Sequence, residues 1–426
     1  MAEDSTRRIK EIFENAIKNI RLEQEEFAEA DEIISEINAL LKKNNIKAEC
    51  MAGGSYAKGT ILKNDFDIDL FVRFDYSYKD KDISYLLKKA LEPLKLKIIH
   101  GSRDYFQLRR KKKQQNLLFE IIPVLKINDY KQAVNVTDMS PLHVGYAKKH
   151  FEQKPGLADQ VRLAKQFCKS AGIYGAESYI RGFSGHVLDM LIIYYGSFEQ
   201  LLMQAAVWGS RVIVDIENHL KNPLEQLNKA KTQSPLIIVD PVQPDRNAAA
   251  AVSREKFDIL KNKARGFLHS PSQEFFVIKK IDVKAVKARA KSGKDWLIML
   301  KVKPLEGNED VVGTKVLKCF EHIAQNLRKN DFKIIESNWE FEPDESLLYY
   351  IIKKEKLSEK ITLYGPPVRE KTDATRFRLK HKKVIVKNNR LYAEEKRKYK
   401  IPGQLVKELI KQAYVKERVK AVRIMN

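Results

Sequence analysis

The sequence predicts an α+β protein of several domains. At 426 residues, 43% of them hydrophobic, it is long and apolar enough for more than one core. Stripes at helical spacing alternate with short apolar runs as far as Val124. After Pro271 the composition shifts, and a separate strand, helix, strand, strand order begins.

The chain opens with Ile9, Ile12, Phe13, Ala16, Ile17 and Ile20 at helical spacing. A second stripe at Phe27, Ile33, Ile34, Ile37, Leu40 and Leu41 is expected to pack over the sheet that follows. A strand enters the turn Gly53-Gly54-Ser55, and Tyr56 to Leu62 reads as helical. Asp67-Ile68-Asp69 heads an apolar strand running to Phe74. Ile83 to Leu94 is an amphipathic helix closed near Pro93. Lys97 to His100 and Tyr105 to Leu108 read as strands, and Arg109 to Lys113 as a basic hairpin tip. Leu117 to Val124 is a strongly apolar strand containing one acid, Glu120. Ser197 to Leu220 is expected to be helical and Lys221 to Ser234 a polar loop. In the last third, Trp296 to Val302, Phe332 to Ile335 and Leu347 to Ile351 read as strands around a helix from Val312 to Asn330.

Chemistry concentrates at the turn and the acids. Residues i and i+2 of a strand share a face, so Asp67 and Asp69 project side by side while Ile68 and Leu70 face the core. Two carboxylates that close repel, and a divalent cation is the usual neutraliser beside a phosphate-binding turn. Either motif alone is common on solvated strand edges; together they are far more specific. Glu120 is the third piece, because an acid inside an apolar strand is costly unless paired or metal-bound.

Composition narrows the class. Lys and Arg number 79 against 56 Asp and Glu, a net charge of +23, which points to a polyanionic partner, nucleic acid first. No apolar run is long enough to span a membrane, and the start lacks an apolar signal region, so a cytoplasmic location is expected. Cys50, Cys168 and Cys319 are scattered without metal-ligand spacing and read as small buried hydrophobes in a reducing compartment.

Further segments follow in order: Ser140-Pro141-Leu142-His143; the helix Val161 to Phe167; Ala171-Gly172-Ile173-Tyr174-Gly175; Ile180-Arg181-Gly182-Phe183-Ser184-Gly185; and Val239-Asp240-Pro241-Val242 with Asp245-Arg246-Asn247. The Gly-Ser turn with its acidic pair resembles the polymerase-β-like nucleotidyltransferases. The whole set resembles the archaeal-type (class I) CCA-adding enzymes, the tRNA nucleotidyltransferases, closely over residues 1–270 and more loosely beyond.

That resemblance implies a polymerase-β-like nucleotidyltransferase head (1–142), a helical central nucleotide-binding domain (143–270) and an α/β RNA-recognition-like body with a basic tail (271–426). It implies Mg²⁺ on the catalytic carboxylates Asp67, Asp69 and Glu120. It places Ser55, Lys58, His143, Lys165 and Tyr174 against the triphosphate of CTP or ATP, and Arg246 at the base. The residue types suit these roles: cations offset phosphate charge, a phenol donates to it, and the arginine fork can read the acceptor edge of cytosine or adenine. Three positions depart from the family pattern: Asp67 replaces Glu, Glu120 replaces Asp and Lys58 replaces Arg. Ligand type and count are kept, so the site reads as competent.

The implied reaction is template-independent addition of CCA to the 3′ end of tRNA. Partial CC- or A-addition, a poly(A)-type polymerase and a weakened tRNA-binding homologue remain open from sequence. From Arg376 to the C-terminus, 17 Lys and Arg stand against 4 Asp and Glu, a surface suited to the acceptor stem and TΨC arm of tRNA. The aromatic motif of a true RNA-recognition domain is absent, so base stacking is not expected there. A homodimer is compatible with the sequence, which does not itself define the oligomeric state.

Overall fold

A computed structural model of the chain describes residues 2–22, 28–63, 65, 67–112 and 115–425. Two units emerge, 1–278 and 279–426. In the first, α1 (Ala2–Ile20) and α2 (Ala28–Lys43) precede β1 (Ala48–Ala52), the one-turn helix α3 (Gly54–Ala57), β2 (Asp67–Phe74) and α4 (Ile83–Ala90). The strands β3 (Lys97–Ile99), β4 (Tyr105–Lys112) and β5 (Gln115–Leu125) follow. The sheet order is β1-β2-β5-β4-β3, with β2 and β5 parallel and the other pairs antiparallel.

The sheet forms because β2 and β5 supply a nearly continuous apolar face. Leu70, Val72, Phe74, Phe119 and Ile121 pack under Ile33, Ile37 and Leu41 of α2 and Leu87 of α4. The helix expected over 56–62 is reduced to one turn, because the Thr60 amide folds back onto Ser55 O at 2.9 Å. Arg109 and Arg110 are not at a hairpin tip; they lie within β4, opposite Leu118 and Leu117 of the long strand β5. Lys113, at the end of that basic run, and Phe27, at the start of the second apolar stripe, lie outside the described residues.

The chain continues through α5 (Ser140–Gln153), α6 (Leu157–Ser170), α7 (Gly185–Tyr195), α8 (Phe198–Val207), β6 (Val212–Asp215), α9 (Pro223–Gln226), β7 (Leu236–Val239) and α10 (Arg254–His269). The helix expected over 197–220 stops at Val207. The β-branched run Val212-Ile213-Val214 instead pairs in parallel with β7, where such side chains are better accommodated. A second core joins Leu163, Phe167, Leu188, Phe198, Phe257 and Phe267 with Ile9, Ile12 and Ala16, so α1 serves this core and not the sheet. Position 142/143 falls inside α5: Leu142 packs on the first core, Ala147 and Phe151 on the second.

Behind the sheet, the fully buried Asp138 carboxylate accepts from both terminal nitrogens of Arg103 and from the amides of Leu125, Val134 and Asn135. Asp138→Ala leaves Arg103, whose side chain is 12% exposed, without its charged partner and orphans the three amides, and is expected to destabilise the first unit by about 3 kcal/mol. The check is the denaturation midpoint; a shift equal to that of a surface Asp→Ala control would refute it.

The second unit comprises α11 (Val283–Ser292), β8 (Trp296–Pro304), α12 (Glu309–Lys329), β9 (Ile334–Glu340), β10 (Ser346–Ile352), β11 (Lys360–Pro367), α13 (Lys371–Lys380), β12 (Val384–Lys387), β13 (Arg390–Lys396), α14 (Pro402–Leu409), α15 (Ala413–Lys416) and β14 (Val419–Met425). Its main sheet, ordered β14-β8-β10-β9, alternates along each strand. Leu300, Leu348 and Tyr350 face α12 and α14, while Met299, Tyr349 and Ile351 face α11. The basic C-terminal stretch is therefore no trailing tail. It supplies β12 and β13 of the small sheet β11-β13-β12 and then returns β14 to the edge of β8. Among the described residues, no helix is long and apolar enough to cross a membrane.

Candidate active site

The turn is locked onto the acidic strand by backbone. The Gly53 amide donates to Asp69 O at 2.8 Å, and Gly54 sits at φ +48°. A Cβ at Gly54 would fall 1.7 Å from Asp69 Oδ2, and one at Gly53 would fall 2.8 Å from the Phe71 ring. Two glycines are needed because the turn lies directly against side chains of β2. Ser55, half-buried, follows on α3.

Parallel register sets Asp69 beside Glu120 and Asp67 beside Leu118. Neighbouring strands lie about 4.8 Å apart, so Asp69 and Glu120 share one patch of the sheet. Removal from water, then the Glu120 charge, pushes the Asp69 carboxyl up to about 6; Lys58 and Lys165 oppose the rise. Asp67, at the exposed head of the strand, is also raised, by partial withdrawal from water and by Asp65. Gln107 of β4, opposite Glu120 in register, donates to Glu120 Oε1 at 2.8 Å and fixes its direction.

A cationic side faces these acids. Lys58, just after α3, is ion-paired with Asp189 of α7, which is fully buried. Lys165 of α6, only 1% exposed, donates to Thr60 O at 3.1 Å and Thr60 Oγ1 at 3.2 Å, and burial brings its ammonium down to about 8. Tyr174 bridges to Phe183, and the Lys169 ammonium lies 5.0 Å from the centre of its ring. Burial raises its phenol. Lys169 in turn pairs with Asp65 beside the acidic strand.

A third group gathers on Asp240, which follows β7 and is fully buried. His143 Nε2 lies 3.0 Å from Oδ1; His186 Nε2 and Arg246 Nη1 lie 3.3 and 3.0 Å from Oδ2. These partners hold the Asp240 carboxyl far below the usual carboxylate range despite its burial. The imidazole of His143 is lowered, chiefly by burial. Asn247 fixes the loop by accepting from the Ile238 amide at 2.9 Å and donating to Lys231 O at 2.8 Å. Helix α7 carries both His186 and Asp189, one turn apart and hence on one face.

The structure thus gathers eight of the nine sequence-derived residues into three groups: Asp67, Asp69 and Glu120; Lys58 and Lys165, with Tyr174 nearby; and His143 with Arg246; the ninth, Ser55, lies on α3 right after the turn. Sequence reasoning assigned nothing to Gln107, His186, Asp189 or Thr60. Asp189 carried a signal: it is the single acid of an otherwise apolar helix, the criterion that drew attention to Glu120. Among the described residues, His143, His186 and Asp240 are the group whose metal-ligand atoms lie within 4.8 Å of one another. That carboxylate is already occupied by Arg246 Nη1 and by the Val242 and Gln243 amides.

A mixed sheet with a Gly-Ser turn pinned to paired acids defines a nucleotidyltransferase head. A nucleotidyltransferase domain family matches residues 33–129, and membership implies a divalent cation. In fold the chain is similar to the Cid1 poly(U) polymerase, with a TM-score of 0.52 at 16% identity, covering 64% of this chain and 98% of that one. The second domain of tRNA nucleotidyltransferases matches residues 159–277, and the C-terminal domain of CCA-adding enzymes matches 296–422. The CCA-adding enzyme of Nanoarchaeum equitans is 33% identical over 375 residues, covering 87% of this chain and 89% of that protein. That of Methanocaldococcus jannaschii is 30% identical over 417 residues, covering 94% and 91%. The chain belongs to the CCA-adding enzyme family.

Proposed function

We propose that this protein adds CMP, CMP and AMP in turn to the 3′ end of tRNA, using CTP and ATP without a nucleic-acid template. The observation that carries the reading is the continuity of the family match, from the nucleotidyltransferase head to the CCA-adding C-terminal domain. A partial or poly(A)-type activity is not favoured, since the C-terminal match is to CCA-adding enzymes themselves.

Mg²⁺ suits the acidic group. Its donors are all carboxylate oxygens, which a hard cation prefers, and the raised Asp69 carboxyl marks a cluster short of positive charge. Asp67, Asp69 and Glu120 would hold it, with Gln107 keeping Glu120 in place. Bound there, Mg²⁺ would stabilise charge on the attacking 3′-oxygen and on the departing pyrophosphate. The protein's own residues do the rest. Ser55, Lys58, His143, Lys165 and Tyr174 orient the triphosphate. Lys58 reaches it by exchanging Asp189 for phosphate oxygens. Lys165, buried behind Thr60, contributes positive field to that side. Arg246 offers N–H donors that match N3 of cytosine and N1 of adenine and meet a donor in uracil or guanine. In this reading residues 1–142 carry the chemistry and 143–270 the nucleotide contacts. The basic surface of 271–426 meets phosphates of the acceptor stem and TΨC arm.

The test is incorporation on tRNAs truncated before C, CC and CCA, with CTP alone, ATP alone and both. Two C then one A, and no further extension, is expected. A ladder of A residues, or no product at any Mg²⁺ concentration, would reject the reading.

A further inference from the structure

The base-side group has a feature that its individual contacts do not require: one buried carboxylate holds all of it. Asp240 is 0% exposed and takes five donors. Oδ1 accepts from His143 Nε2 at 3.0 Å and from the Val242 and Gln243 amides at 3.0 and 3.2 Å. Oδ2 accepts from Arg246 Nη1 at 3.0 Å and His186 Nε2 at 3.3 Å. The backbone closes the same loop, with the Asp240 amide donating to Arg246 O at 3.0 Å. The two imidazoles lie 4.5 Å apart, one from α5 and one from α7.

A long arginine side chain loses considerable rotamer entropy when fixed, and an unfixed fork reads hydrogen-bond patterns poorly. Arg246 keeps 41% of its side chain exposed while one terminal nitrogen is tied to a fully buried partner. A charge-assisted bond to a buried oxygen holds the guanidinium plane more firmly than solvent can. That oxygen is itself held by His186, and the other oxygen by His143 and two amides. The orientation of Arg246 is therefore referred to two helices as well as to its own loop.

We propose that Asp240 is the positioning residue for base selection: it fixes the guanidinium of Arg246 and, through His143 and His186, sets that orientation relative to α5 and α7. The proposal rests on the reading that Arg246 meets the base. Asp240 touches neither base nor phosphate; it acts through Arg246. His186 belongs to the same device as its second strut. Base recognition and the triphosphate-side histidine are thereby linked through one carboxylate, so a nucleotide seated with the wrong base also disturbs His143.

The experiment is a double-mutant cycle on discrimination. Incorporation of CTP against UTP, and of ATP against GTP, is measured as kcat/KM on truncated tRNAs for wild type, Asp240→Asn, Arg246→Ala and the double variant. Losing one charge-assisted bond should cut CTP-over-UTP discrimination by about 10- to 100-fold in Asp240→Asn. The double variant should discriminate no worse than Arg246→Ala alone, because Asp240 has nothing left to position. Asp240→Asn with lowered kcat but wild-type discrimination would overturn the proposal, as would losses that multiply in the double variant. If Asp240→Asn does not fold by circular dichroism, His186→Gln takes its place in the cycle. Several-fold weaker discrimination, not multiplied by Arg246→Ala, supports the proposal, and unchanged discrimination overturns it. Wild-type protein that incorporates no nucleotide rejects the enzymatic reading itself, and with it this proposal; an active wild type beside a normally selective Asp240→Asn rejects the proposal alone.

Discussion

Asp69→Asn abolishes nucleotide incorporation while tRNA binding stays close to wild type. Asp69 has carboxylate neighbours on both sides, Glu120 across the parallel register and Asp67 along its own strand. Removing it takes away the centre of the proposed cation site, a loss of several kcal/mol of barrier lowering, on the order of 10³-fold or more. Filter binding of tRNA should be unaffected, because the basic surface lies in residues 279–426. Stability should move the other way. The folded carboxyl sits near 6 against 3.8 for the free group, so folding retains a proton that the unfolded chain releases. Its ionised form therefore weakens the fold as pH rises from about 4 to 6, and the full penalty stands at pH 7. In chelator, Asp69→Asn should melt above wild type at pH 7.5, and the gap should close toward pH 4. Normal incorporation by this variant would refute the assignment of the acids; an unchanged melting gap across that range would refute the electrostatic account.

Gly54→Ala should lower incorporation by about 100-fold, because misplacing a reacting group by roughly an ångström costs that much. The new methyl would fall 1.7 Å from Asp69 Oδ2, so either the turn or the carboxylate has to move. Gly59→Ala is the control. It carries the same backbone penalty, with φ +65°, but has nothing within 4 Å of its added Cβ. Left-handed backbone costs an alanine about 1–2 kcal/mol, which should appear in stability for both variants. Equal activity losses in the two would mean that strain, and not displacement of Asp69, explains Gly54.

Much of this site is local and was therefore legible. Asp67 and Asp69 share a face by strand alternation, and Glu120 stood out as an acid in an apolar run. What escaped is long-range. Nothing in the sequence says that Lys58 meets a residue 131 positions later, because the contact depends on α7 packing under the turn. The parallel register that sets Asp69 beside Glu120 depends on the whole crossover through α4, β3 and β4. The strand at Val212–Asp215 was hidden because a short apolar run after a helix reads as more helix; its β-branched residues were the available clue. The basic C-terminal stretch looked like an appendage because charge dominates its composition. Its strands alternate, and their apolar residues, such as Leu391 and Ala393, are buried.

The placing of His186 and Asp189 on α7 also limits how this chain can diverge. The two side chains reach different groups, Asp240 with Arg246 and His143 on one side and Lys58 beside the Gly-Ser turn on the other, yet are separated by a single turn of rigid helix. One residue inserted between them would rotate one partner by about 100° away from its group, whereas a loop would absorb the same insertion. The interval is thus a fixed phase relation: its side chains can be exchanged, but its length cannot change while both groups are kept.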